Sequence, residues 1–144
     1  MQTRQLSYIG IRDPQTRQCK VMVKDNFSDS SWPLPMRLDL FKHSSTGFEW
    51  GYSGSGCAQT ALAILTSHLI DQEHRTPVLM ALGLRELPPK NERLGIEDHE
   101  FLAIAFHQRF KTRVVANLPD SGWELHEDEI DRLIMERVAH EVRA

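Results

Sequence analysis

The residues best suited to chemistry lie together in "GFEWGYSGSGCAQTALAIL", Gly47 to Leu65, which sets three aromatics, four glycines and a cysteine ahead of an apolar run. Gly54 and Gly56 tolerate positive φ or a close backbone approach, and Ser53 or Ser55 can cap a helix. The first free N–H groups of that helix would form an anion site. The stretch is no P-loop: no Gly-Lys-Ser/Thr follows, and Glu49 would repel a phosphate if it pointed inward. Cys57 falls in the first helical turn, where the dipole can lower a thiol pKa. A cysteine hydrolase would also need a base. His43, His68, His99 and His107 are available, and spacing singles out none of them. The bland alternatives are a structural turn into a core helix and a small buried thiol.

Phe48, Trp50 and Tyr52 alternate beside the glycines. They could stack on a base, anchor an interface or pack the core, and exposure of Trp50 or Tyr52 is the cheap indicator of a binding surface. The seven histidines include no HExxH and no pair at i,i+4, so dispersed surface or capping roles are favoured, and no metal or other cofactor is expected. His68 and His74 flank a helix end, and His126 stands at an N-cap position with Glu129 three residues on. Glu97, Asp98 and Glu100 look like the acids of a helix start.

A chain of 144 residues fits one domain, 1–144, and buries enough surface for a real core. No apolar run reaches the ~20 residues of a membrane span, and no basic patch with an apolar segment opens the chain, so a cytoplasmic protein is expected. Cys19 and Cys57 are too far apart to suggest a disulfide framework or a zinc pattern. A net charge of −3 gives no general pull toward nucleic acid, which stays an unfavoured alternative partner. Arg109, Lys111 and Arg113 read as a solvated helix face.

Positioning these residues requires a framework. "QLSYIGIR" and "CKVMVKD" alternate apolar and polar residues around the turn "DPQTRQ", a β-hairpin, and "MRLDLF", residues 36–41, alternates as a third strand. "NFSDSSWPLP" reads as loop because Pro33 and Pro35 exclude a central strand. From Gly56 the period lengthens: Ala58, Ala61, Leu62, Leu65 and Leu69 form one helical stripe. Thr76-Pro77 offers an N-cap and a proline at the first helical position of a short helix through about Leu82, stopped by Gly83, "LRELPPKNERLG" is loop, and a further helix spans about Glu97 to Ala116. The last helix starts near Glu127, with acids in its first turn and Arg137, His140 and Arg143 toward its end. The order predicts an α+β domain, a small and mostly antiparallel sheet with three to four C-terminal helices packed on it.

"HSSTGFEWGYSGSGCAQTALAIL", from His43 to Leu65, resembles the central signature of domain-of-unknown-function family 6166, small proteins of bacteria, phages and mobile elements. That pattern runs His-Ser-Pro-Thr-Gly-Phe-Glu-Trp-Gly-Tyr-Gly-Gly-Ser-Gly-Pro-Ala-Gln, and His43, Phe48, Glu49, Trp50, Tyr52, Gly54, Ser55, Gly56 and Gln59 are among the positions that match. The resemblance extends to "YIG" and to "FHQRFKTRVVANLP", with extra length between His74 and Glu97. The family carries no activity to transfer. It places proline where this chain has Cys57, which argues against a nucleophile there.

The leading expectation is a small soluble binding protein, phage or mobile-element encoded, that acts on a protein partner through His43 and Phe48 to Gly56. The family's setting suggests an inhibitor of a bacterial defence system such as a CRISPR effector. The alternative is a small-molecule or nucleotide-binding enzyme that uses the glycine-rich helix start and a nearby histidine such as His43.

Overall fold

The computed structural model describes residues 4–139, so His140 and Arg143 lie outside the described residues. The predicted hairpin is β1 (Leu6–Arg12) and β2 (Cys19–Asp25), antiparallel with Tyr8 opposite Val23 and Gly10 opposite Val21. Its turn is built by Asp13, whose carboxylate accepts the Gln15 and Thr16 amides at 2.8 and 3.0 Å.

The third strand is not where apolar alternation put it. Residues 36–41 form no strand; Arg37 sits at φ 58°, in the left-handed region that breaks an extended run. The strand is instead β3 (Ser30–Pro33), inside the stretch read as loop, with Trp32 opposite Val23. Pro33 is tolerated because β3 is the edge of the sheet. A fourth strand, β4 (Gly122–His126), pairs antiparallel with the free side of β1 and gives the order β3-β2-β1-β4.

One face of this sheet carries Leu6, Tyr8, Val21, Val23 and Leu125, all buried in the core. On the other face Ile9, Met22 and Lys24 are half-buried and Ile11 is exposed. Against the apolar face lies α1 (Ser55–His68), buried on nearly every side from Gly56 to Thr66. No side chain caps it: Gly54 is the N-cap in extended conformation, so neither Ser53 nor Ser55 fills the capping role. Tyr8 ties β1 to the far end of α1 through its hydroxyl, 2.9 Å from Ser67 Oγ.

A 3₁₀ turn (Gln72–His74) leads into α2 (Arg75–Leu82), which Gly83 ends at φ 69°. His74, not Thr76, is its N-cap, and Pro77 sits at the third helical position, where no intrahelical N–H is lost. The loop 84–97 is pinned by Arg93, which donates to the Pro88 carbonyl and to Asp98 at 2.7 Å.

Next comes α3 (Asp98–Arg113), with Glu97 at its N-cap and Glu100 reaching back to the Glu97 amide at 2.9 Å. It packs along α1 through Leu102, Phe106 and Phe110. Arg109 of the basic run satisfies the Ala81 carbonyl at the end of α2, 2.8 Å away. Finally α4 (Glu127–Ile134) starts from His126 as expected and continues as a π turn through Ala139. The described residues form an α+β fold, a four-stranded antiparallel sheet and four helices around a core that draws on residues from Leu6 to Val138. Among the described residues no helix is long and apolar enough to cross a membrane.

Candidate functional site

The signature runs outside regular structure from His43 to Gly54 and is held by side chains of α1. Gln59, fully buried, accepts the amides of His43 and Ser44 at 2.7 and 3.1 Å and donates to the carbonyls of Met36 and Phe41 at 2.7 and 3.0 Å. A buried amide with that many partners fixes the path of the loop. At the next position, Thr60 Oγ1 accepts the Glu49 amide at 3.0 Å and lies 2.8 Å from the Glu49 carbonyl. Gly56 is required here: a Cβ would stand 2.8 Å from Glu49 Cβ.

Glu49 turns its carboxylate to Arg12 of β1, with contacts of 2.9 and 3.4 Å. The Arg12 side chain is buried, donates to the Asp120 carbonyl at 2.7 Å, and lies 5.2 Å from the centroid of the Trp50 ring. The bond to the Glu49 carboxylate holds the Arg12 pKa above its ordinary value. Trp50 donates its indole N–H to the same Asp120 carbonyl at 3.2 Å and meets Trp123 of β4 edge-on at 5.2 Å. The middle of the signature is thus a clasp that binds β1, β4 and α1 together.

The residues expected to form a site therefore divide. Phe48, Trp50 and Gly56 are buried and serve the core, which corrects the expectation that Phe48 and Trp50 face a partner. His43, Glu49 and Gly54 are half-buried, while Tyr52, Ser53 and Ser55 reach the surface. The Tyr52 ring lies over Gly54, where a Cβ would come within 2.7 Å of it. Burial raises the Tyr52 pKa, and Cys19 lines an open concavity of about 490 Å³ at the β1–β2 turn with Ile11, Arg12 and Lys20.

Little here is poised for catalysis. Burial raises the Cys57 pKa and pushes the Cys19 pKa to about 11, so both thiols are protonated at neutral pH. His43 is brought within 2.8 Å of His107 of α3, ring nitrogen to ring nitrogen, and stacks on Phe41 at 4.3 Å. His107 Nδ1 donates to the Ile104 carbonyl at 2.7 Å, so its Nε2 accepts from His43. Burial lowers both pKa values. Glu49 packs against the first turn of α1, which opposes an anion there.

Sequence reasoning missed a second group. His68 at the end of α1 and His74 before α2 stack at 4.3 Å and both donate to Asp131 of α4, from His68 Nε2 at 2.7 Å and His74 Nδ1 at 2.6 Å. Burial opposes the Asp131 charge, but these two bonds hold its pKa below the usual value. His74 Nε2 lies 3.3 Å from Glu127, the buried first residue of α4. Local spacing could not reveal a group drawn from three elements; the flanking of a helix end by His68 and His74 was its one visible sign.

The profile of the family of unknown function DUF6166 matches residues 8–79, and the chain belongs to that family. No curated protein and no solved structure matches the chain. The matched span runs from within β1 to within α2, hence includes Arg12, Gln59 and the whole signature, and leaves out α3, β4 and α4.

Proposed function

We propose that this chain is a small cytoplasmic binding protein that acts by occupying a protein partner, with the surface around Tyr52 as its contact. One observation carries the reading: within the signature Trp50 is 0% exposed and Tyr52 is 52% exposed. The clasp fixes Tyr52 over Gly54, so a large aromatic side chain is presented with little rotamer freedom left to lose on binding. The groups nearby that could do chemistry are committed elsewhere: Glu49 to Arg12, His43 to His107 and Gln59 to the loop backbone. The phage and mobile-element setting of the family suggests a bacterial defence effector, such as a CRISPR nuclease complex, as the partner.

The test is capture of partner proteins by tagged wild type, Tyr52→Ala and Phe27→Ala from cells that carry the gene. Phe27, 64% exposed on the β2–β3 turn, is the control. Wild type and Phe27→Ala are expected to capture the same protein and Tyr52→Ala to lose it at least tenfold. Equal capture by Tyr52→Ala overturns the surface, and no captured protein with wild type overturns the protein partner.

A further inference from the structure

Two groups of three side chains around His74 could hold a divalent metal ion, and they differ in a way that decides between them. In the set His68, His74 and Asp131 the nitrogens stand 2.7 and 2.6 Å from the carboxylate oxygens. Those are hydrogen-bond distances. Two ligands on one tetrahedral metal with bonds of ~2.0–2.1 Å stand about 3.3 Å apart, so that carboxylate is engaged by N–H donors, not shared with an ion.

In the set Asp71, His74 and Glu127 the His74–Glu127 pair has that separation. His74 Nε2 and Glu127 Oε2 are 3.3 Å apart, and a ligand atom from each of the three residues lies within 4.8 Å of the other two. His74 Nδ1 donates to Asp131, so in the neutral ring Nε2 carries the lone pair. That Nε2 is buried and has no hydrogen-bond partner among the described residues, in a side chain only 5% exposed. His74 Nε2 thus faces the Glu127 and Glu73 carboxylates at 3.3 and 3.8 Å without a hydrogen bond, and because the bond to Asp131 raises the His74 pKa, a metal ion bound there takes the place of a proton. Asp131 then acts as the carboxylate behind a metal-binding histidine, and His68 holds that carboxylate from the other side.

We propose that His74 Nε2, Glu127 and Asp71 bind one divalent transition-metal ion, with zinc as the matching chemistry for one imidazole and two carboxylates. The ion joins the turn before α2 to the first residue of α4. Asp71 is partly exposed, which gives the ion a route in. Arg4 pairs with Asp71 at 3.7 Å and must swing aside.

The experiment adds zinc chloride to chelator-stripped full-length protein and reads bound zinc per chain by elemental analysis after desalting, together with the thermal midpoint. Cobalt substitution reports coordination through its visible bands. The account expects one zinc per chain, a raised midpoint, and cobalt bands of a four- or five-coordinate site. Glu127→Gln and Asp71→Asn should each lose tightly bound metal while their far-UV circular dichroism matches wild type, and His43→Gln should keep it. No zinc retained by wild type overturns the site. So does retention by both carboxylate variants, and so does loss in His43→Gln, which would move the metal to the His43–His107 pair.

Discussion

Arg12 and Glu49, 37 residues apart in the chain, meet through a two-point ion pair with contacts of 2.9 and 3.4 Å. The same guanidinium covers the Trp50 ring and binds the Asp120 carbonyl, so one side chain connects β1, the signature and the approach to β4. Arg12→Ala removes the donor to the Trp50 carbonyl, leaves the Asp120 carbonyl with the Trp50 indole alone and deprives Glu49 of its partner, a loss of about 3 kcal/mol. Arg12→Lys keeps the charge but cannot reproduce the fork, and it should recover less than half of that. Glu49→Gln should cost only about 1 kcal/mol, because Arg12 keeps its carbonyl acceptors. Urea titrations read all three, with equal effects of Arg12→Ala and Glu49→Gln contradicting the assigned hierarchy.

Gly10 exists for Trp123. The two residues are cross-strand partners, and a Cβ on Gly10 would fall 2.3 Å from the indole. Gly10→Ala must push Trp123 off its edge-on contact with Trp50, destabilising by about 1–3 kcal/mol and changing tryptophan fluorescence in the folded state. An unchanged emission spectrum together with unchanged stability would refute this packing.

The His43–His107 contact predicts an acid-side loss of stability. Burial holds both folded-state pKa values below the ordinary 6.5, so each ring binds its proton more weakly folded than unfolded. The corresponding stability is complete above about pH 6.5 and is lost as the pH falls from there through the folded-state values. His107→Gln should flatten that decline. Burial also depresses His68 and His99, so a residual slope is expected. A variant whose stability falls as steeply as wild type between pH 6.5 and 5 would exclude the pair as its source.

Cys57 is fully buried beneath the signature and its thiol is neutral, so alkylation requires opening of α1. Under native conditions Cys57 should resist iodoacetamide, and its labelling should rise with urea along the same curve as global unfolding. Rapid native labelling of Cys57 would show that the helix start is open to solvent.

The hairpin and α1 were legible because their side-chain periods coincide with single buried faces: Tyr8 and Val23 on one side of the pleat, Ala61 and Leu65 along the helix. Met36–Phe41 misled because Met36 and Leu40 pack on the core, while Leu38 and Phe41 are exposed, from an irregular segment whose Met36 and Phe41 carbonyls are satisfied by Gln59, not by a strand partner. The real edge strand was hidden by Pro33, and β4 by its five residues and its dependence on β1 more than a hundred positions away. Trp50 and Tyr52 are separated by one residue and differ completely in burial. The cause is Gly51 at φ 86°, close against the Leu118 carbonyl, which alternation alone does not encode. The His74 group joins residues 57 positions apart and leaves no periodic trace.

The central claim is that the signature is a clasp closed around Trp50 with Tyr52 as its outward side chain. Hydroxyl-radical footprinting of the folded protein, read by peptide mass spectrometry at each aromatic, tests it most directly. Tyr52 should be oxidised at a rate comparable to exposed Phe27, and Trp50, despite its higher intrinsic reactivity, should stay unmodified until the protein unfolds. Native oxidation of Trp50 at or above the Tyr52 rate would contradict the clasp and the surface proposed from it.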